Sequence, residues 1–129
     1  MLRKAELIHS HILVAMFCGW EPQKPTKTLI FGESYPNGYL KLMEGDDLHL
    51  VSNDKILEEL PYATDWNYLM TAYDKFRDAA EEGGTDDKDA LMDIRDTLIE
   101  AILDFNIDLA FKELVRGIET INQLKTEET

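Results

Sequence analysis

A single cysteine, Cys18, is all the thiol chemistry in this 129-residue chain, so no internal disulfide can form and a disulfide-stapled secreted scaffold is excluded. That usage fits a reducing compartment, and the expected location is the cytoplasm. Positive charge is scarce too: 13 Lys and Arg stand against 26 Asp and Glu, a formal charge of −13. A field of that sign repels phosphate backbones and anionic lipid, so direct nucleic-acid binding and a membrane role are not expected. No window approaches the roughly 20 apolar residues that span a bilayer. Arg3-Lys4 ahead of the apolar run Ile12 to Cys18 is the nearest approach to a targeting signal, but Glu6, His9 and His11 interrupt it, and Phe17 before Cys18 does not suit lipoprotein processing. Glycine loops that cradle phosphates, a dinucleotide fingerprint and a Gly-x-Ser-x-Gly elbow for Ser10, Ser34 or Ser52 are all lacking. Cofactors are therefore not expected.

What is present reads as an ordinary globular protein. With 44% hydrophobic residues and only seven glycines and four prolines, the chain can enclose one apolar core, and its length predicts a single domain over 1–129. Residues Leu2 to Cys18 read as a helix with Ala5, Ile8, Ile12, Ala15 and Met16 on its inner side, widened by Leu7, Val14 and Phe17. Gly19 is the natural stop, and Pro22 and Pro25 forbid continuation. From Thr28 the period changes. Thr28 to Phe31, Tyr39 to Met43 and Leu48 to Val51 are short β-forming runs, separated by Pro36-Asn37-Gly38 and Gly45-Asp46-Asp47, and they predict a small antiparallel meander.

Three further helices follow. Thr64 or Asp65 caps the first, which buries Trp66, Leu69, Met70, Tyr73, Phe76 and Ala80 until Glu81-Glu82-Gly83-Gly84 breaks it. The second runs from about Asp86 to Phe105 and buries Leu91, Ile94, Leu98, Ala101, Ile102 and Phe105. After a short connection at Asn106 or Asp108, the last helix turns Ile107, Ala110, Phe111, Leu114, Val115, Ile118, Ile121 and Leu124 inward, with a fraying tail from Lys125. Short connectors make these three helices antiparallel neighbours. The expected fold is α+β and helix-dominated, about four main helices packed with the meander.

Charge is distributed unevenly: residues 61–129 hold seven basic and 17 acidic residues, so −10 of the −13 lies in the C-terminal half. Asp89, Asp93, Asp96, Glu100 and Asp104 fall within roughly 80° of one another at about 100° per residue, opposite the apolar stripe of the same helix. They form one acidic ridge. Its plainer account is a solvated face that keeps the protein soluble. The functional account is a surface for a basic partner, or an imitation of a phosphate row that occupies a nucleic-acid-binding protein.

Other chemistry is thinner. Gly83-Gly84-Thr85-Asp86-Asp87-Lys88-Asp89 lacks the turn glycine and closing glutamate of a calcium loop, and an acidic helix start is explained by the helix dipole. Carboxylates from Asp86 to Asp93 nevertheless leave an alternative: a small divalent-metal-dependent hydrolase. His9 and His11 project about 200° apart on a helix and cannot share one ion. His49 stands alone in its strand. Cys18 reads as a small core residue, because no base is designated to activate a thiol. Among the aromatics Trp20, Tyr35, Tyr39, Tyr62, Trp66, Tyr68 and Tyr73, a base-stacking role would need a basic groove. Trp66 and Tyr73 read as core, Trp20 and Tyr62 as loop pins, and Tyr68 as exposed beside the buried stripe.

The segment Leu60-Pro61-Tyr62-Ala63-Thr64-Asp65-Trp66-Asn67-Tyr68-Leu69-Met70, continuing to Asp74-Lys75-Phe76, resembles a signature of small bacteriophage and prophage proteins from gut bacteria, in which Tyr-x-Thr/Ser-Asp/Ser-Trp-x-Trp-Leu-Met opens a helix. Ala15-Met16-Phe17-Cys18-Gly19-Trp20-Glu21 is similar to the ending of their first helix, and Ala110-Phe111-Lys112-Glu113-Leu114-Val115-Arg116-Gly117-Ile118 to their closing helix. Tyr68 stands where the group often has Trp, and the acidic helix where related domains place strands. The resemblance implies an α-β-α sandwich-like domain of phage origin acting in a bacterial host cell. It transfers no catalytic residue, since the group's biochemical role is generally unassigned. The combined expectation is an accessory protein that binds other proteins and is not an enzyme.

Overall fold

The computed structural model describes residues 3–30, 32–82 and 88–127, with the side chains of 82, 88–90 and 124–127 not described. It is α+β, with five helices and small antiparallel sheets among the described residues. The chain divides into two compact units, Met1–Pro61 and Tyr62–Thr129.

The first unit opens with helix α1, Lys4–Phe17. Apolar side chains occur nearly all round it, so periodicity alone does not choose its inner face. The buried residues are His11, Val14 and Ala15, which puts the stripe on the Leu7 side of the face expected. Ala5 and Met16 are exposed instead. The helix stops as Gly19 requires: Gly19 N–H bonds to the Met16 carbonyl at 3.1 Å and Trp20 N–H to the Ala15 carbonyl at 3.0 Å, with Gly19 at φ +107°. This is a Schellman closure, in which a left-handed residue lets two successive N–H groups cap the final carbonyls.

Five strands follow: β1 Glu21–Gln23, β2 Thr26–Ile30, β3 Glu33–Tyr35, β4 Tyr39–Glu44 and β5 Asp47–Ser52. The order β1-β4-β5 makes a three-stranded antiparallel sheet, while β2 and β3 form a separate two-stranded ribbon. The three expected runs fall on β2, β4 and β5, with Phe31 of the first run outside the described residues, and β1 and β3 add to them. Pro22 in β1 is tolerated because β1 is an edge strand, where a missing N–H need not break a ladder. Glu44 pairs with Asp47, so the β4–β5 reversal is the two residues Gly45-Asp46. Asn37 Nδ2 donates to both Asp54 carboxylate oxygens at 2.9 and 3.0 Å, and Asn53 Nδ2 donates to the Asn37 carbonyl at 3.1 Å, fastening the Pro36–Gly38 turn to the end of β5. A 3-10 turn, Asn53–Lys55, then leads into α2, Ile56–Glu59, a four-residue helix too short to show a period in the sequence. Leu40, Val51, Ile56 and Leu60 are buried here.

The second unit consists of α3 Trp66–Glu82, α4 Lys88–Leu103 and α5 Ile107–Glu127. Asp65, not Thr64, caps α3: its Oδ1 accepts the Asn67 N–H at 2.8 Å. Both α3 and α4 pack on α5. The expected stripe of α5 is in place, with Ala110, Phe111, Leu114, Val115, Ile118 and Ile121 buried and Ile107 partly so. The side chain of Leu124 and the end of the tail lie outside the described residues. Gly117 sits in the middle of that stripe, and a Cβ there would come within 2.5 Å of Phe76 Cε2 and 3.2 Å of Ile94 Cγ2. Phe76 of α3 and Ile94 of α4 thus converge on the one position of α5 without a side chain.

In α4, too, a core assignment is overturned. Leu91, Ile94, Leu98 and Ala101 are buried as expected, but Phe105 is 82% exposed. The 3.6-residue period would carry Phe105 inward only if the helix continued; α4 ends at Leu103, and Phe105 itself turns left-handed at φ 55°. The residues Gly83 to Asp87, including the Gly83-Gly84 break and the acidic start of the helix, lie outside the described residues.

Candidate functional site

Helix α4 has three different sides. Leu91, Ile94, Leu98 and Ala101 face the interior of the second unit. On the far side Asp93, Asp96 and Glu100 are exposed, and Asp104 extends the row by one turn, its N–H still bonded to the Glu100 carbonyl at 2.9 Å. Four of the five expected ridge residues are therefore brought together on one solvent face, and the side chain of the fifth, Asp89, lies outside the described residues. Between ridge and core runs a third side: Met92, Ile99 and Leu103, within about 40° of one another, are all exposed. Leu103 is 71% exposed and leads directly to Phe105.

The ridge does not help the helix that carries it. Asp93 with Asp96, Asp96 with Glu100 and Glu100 with Asp104 are like charges three or four residues apart, each costing about 0.2–0.5 kcal/mol. Glu100 and Asp104 also lie at the negative end of the helix dipole, where anions are disfavoured, and no basic residue occupies the last turn. Arg95 approaches Asp96 only to 3.9 Å at the surface, a pair of little worth.

The corner that follows is unusual in the same direction. Phe105 N–H bonds to the Ile102 carbonyl at 3.1 Å and Asn106 N–H to the Ala101 carbonyl at 2.9 Å, the same two-bond closure that ends α1. In α1 the left-handed position is Gly19; in α4 it is Phe105, where a side chain costs about 1–2 kcal/mol. Asn106 then opens α5, its Oδ1 accepting the Leu109 N–H at 3.2 Å. Leu109 is exposed beside it. Sequence reasoning missed this apolar edge. Its signal was the spacing of Met92, Ile99 and Leu103 off the buried stripe, together with a helix stop one residue before an asparagine cap and no glycine to make it.

The remaining candidates stay apart. His9 is exposed, whereas His11 is buried, with its Nδ1–H donated to the Leu7 carbonyl at 2.8 Å. Burial holds the His11 pKa below the usual histidine value of 6.5, and the bond to Leu7 offsets part of that shift. Burial also raises the Tyr35 pKa, aided by the nearby Glu33 carboxylate, which accepts the phenol O–H at 3.4 Å. His49 lies 3.5 Å from Glu44 on the exposed sheet surface. Cys18 is half-buried at the end of α1. Ser52 accepts the Asp54 N–H at 3.2 Å and so serves a turn. Tyr68 is exposed as expected, with its ring edge-on to Tyr62 at 5.9 Å between centroids. Among the described residues no three His, Cys, Asp or Glu converge as metal ligands, and no helix is long and apolar enough to cross a membrane. The Asp86 and Asp87 carboxylates of the hydrolase alternative lie outside the described residues.

Comparison with protein-family models, with curated proteins and with solved structures finds no match to this chain. Its function has to be read from its own residues.

Proposed function

We propose that this protein acts by binding another protein through the outer face of α4, with Asp93, Asp96, Glu100 and Asp104 meeting a basic surface and Leu103 and Phe105 seating in an apolar recess beside it. The observation that carries this reading is Phe105: an aromatic ring held in solvent by a left-handed backbone that stability alone would give to glycine. Strain of this kind concentrates where a surface does something besides fold. The acids next to it supply long-range attraction and the ring supplies a desolvated anchor, the division of labour found in protein interfaces. A basic host or phage protein, including one that ordinarily holds nucleic acid, has the matching chemistry. The phage or prophage origin, the bacterial cytoplasm as the place of action and the α-β-α sandwich kinship are part of the same proposal, supported by the signature at 60–70.

The test is affinity capture from bacterial extract at low and high salt, with the wild-type chain beside Asp96→Lys/Glu100→Lys and Phe105→Gly variants. A specific partner should be retained by the wild type at low salt, released at high salt, and lost by both variants while their circular dichroism stays native. A partner held equally by all three chains would refute the assignment to this face. Competition by duplex DNA for the captured protein identifies the phosphate-mimic form.

A further inference from the structure

One side of α4 carries a second regularity. Met92, Asp96, Ile99 and Leu103 are all exposed, and they follow one another by four, three and four residues. At about 100° and 1.5 Å per residue they stay within about 60° of one another over about 16 Å, a seam parallel to the helix axis. Steps of four and three are those between the d and a positions of a heptad, the pattern by which one helix packs along another. Asp93 and Glu100 then fall at flanking e positions, and Arg95 at a g position on the other flank. Asp104 falls outside the seam, at a b position.

Charge chooses between occupants. Two copies of α4 paired in parallel would set Asp96 against its own image across the seam; paired antiparallel, they would set the acids of their e flanks, Asp93 and Glu100, against each other. Between residues 91 and 104 the chain has four carboxylates and one base, Arg95, whose guanidinium is 3.9 Å from Asp96. A second copy therefore meets like charge, and a cationic helix meets opposite charge. Met92 also lines, with Ala80 and Leu91, a groove of about 440 Å³ between α3 and α4, a hole for a side chain of the second helix at that end.

We propose that the partner's contact element is a basic amphipathic α-helix laid along this seam. Its apolar side chains pack on Met92, Ile99 and Leu103, a Lys or Arg crosses Asp96, and further Lys or Arg lie beside Asp93 and Glu100. This occupant rests on the protein-binding role proposed above for the same face, and gives that partner a shape. An apolar stripe on one helix with charges along its flank is what a second helix of matching pattern reads.

The probe is a three-heptad peptide with Leu at a and d, Lys at e and g, and one Lys at the central a position, beside a scrambled peptide of the same composition. Titrated into the full chain, it should bind saturably and gain helical circular dichroism, and the scrambled peptide should bind at least about tenfold more weakly. Met92→Gln/Ile99→Gln should weaken binding about tenfold. If that double variant fails to fold, Leu103→Gln, at a side chain 71% exposed, should do the same. Asp96→Asn and Asp104→Asn each change the charge from −13 to −12, but the first should weaken binding about fivefold and the second less than about twofold. Equal binding of the scrambled peptide overturns the proposal, as does wild-type affinity in a folded seam variant or equal loss in the two charge variants. Dimerisation of the chain alone, dispersed by Met92→Gln/Ile99→Gln, would give the seam to a second copy and overturn it too. The same double variant in the capture experiment separates the two claims. A partner lost by Phe105→Gly and Asp96→Lys/Glu100→Lys but held by Met92→Gln/Ile99→Gln keeps the binding face and removes the helix; a partner held by every variant removes both.

Discussion

Replacing Phe105 by glycine should make this protein more stable and less functional at once. A non-glycine residue in the left-handed region costs about 1–2 kcal/mol, and glycine gives back roughly 0.5–1 kcal/mol through its greater freedom in the unfolded chain. The ring is 82% exposed, so its removal forfeits little burial. The net expectation is a gain of roughly 0.5–1 kcal/mol, or about 2–5 °C in Tm for a chain of this size. The mirror experiment is Gly19→Ala. It places a side chain in the same closure at the end of α1, where the nearest atom to the new Cβ is Leu42 Cδ1 at an ordinary 3.9 Å, so conformation alone is tested. That variant should lose about 0.5–1 kcal/mol. Urea denaturation followed by circular dichroism reads both. If Phe105→Gly is neutral or destabilising while Gly19→Ala behaves as stated, the ring makes an intramolecular contact worth more than its strain, and the case for an outward-facing anchor fails.

Further expectations concern stability. His11 has a folded pKa below its unfolded value of about 6.5, so its contribution is fully present above pH 6.5 and is lost as pH falls through the folded value. Urea midpoints at neutral and mildly acidic pH should therefore separate in the wild type and draw closer in His11→Leu; an unchanged separation would remove His11 as the cause. Gly117→Ala, which drives a methyl group against Phe76 and Ile94, should cost about 1–3 kcal/mol despite alanine's better helix propensity, and a stabilised variant in a thermal melt would contradict the packing described. Asp65→Ala, stripping the cap from α3, should cost about 1 kcal/mol by the same measurement.

How much could be read from residues alone depended on how sharply they separate inside from outside. In α3 and α5 the polar and apolar positions are cleanly divided, and Leu69, Tyr73, Phe76, Leu114 and Ile118 were legible as core. In α1 the division is blurred, and a buried histidine took a place that hydrophobicity assigned elsewhere. The β4–β5 hairpin announced itself through Gly45-Asp46, whereas β1 hid behind Pro22 and β3 was too short to alternate visibly. The acidic face of α4 was legible because charge at helical spacing is a local property. Phe105 was not, because its position depends on where the helix stops, and that is decided by hydrogen bonds at Asn106 which a periodic pattern does not encode.

Asn106 binds the two helices into one event. Its backbone N–H seals the outgoing helix and its side chain starts the incoming one, so neither end can loosen while the other stays shut. The bend therefore behaves as a clasp with a single catch: amide protons on both sides should exchange together, and whatever grips the ring next door is anchored to a rigid elbow.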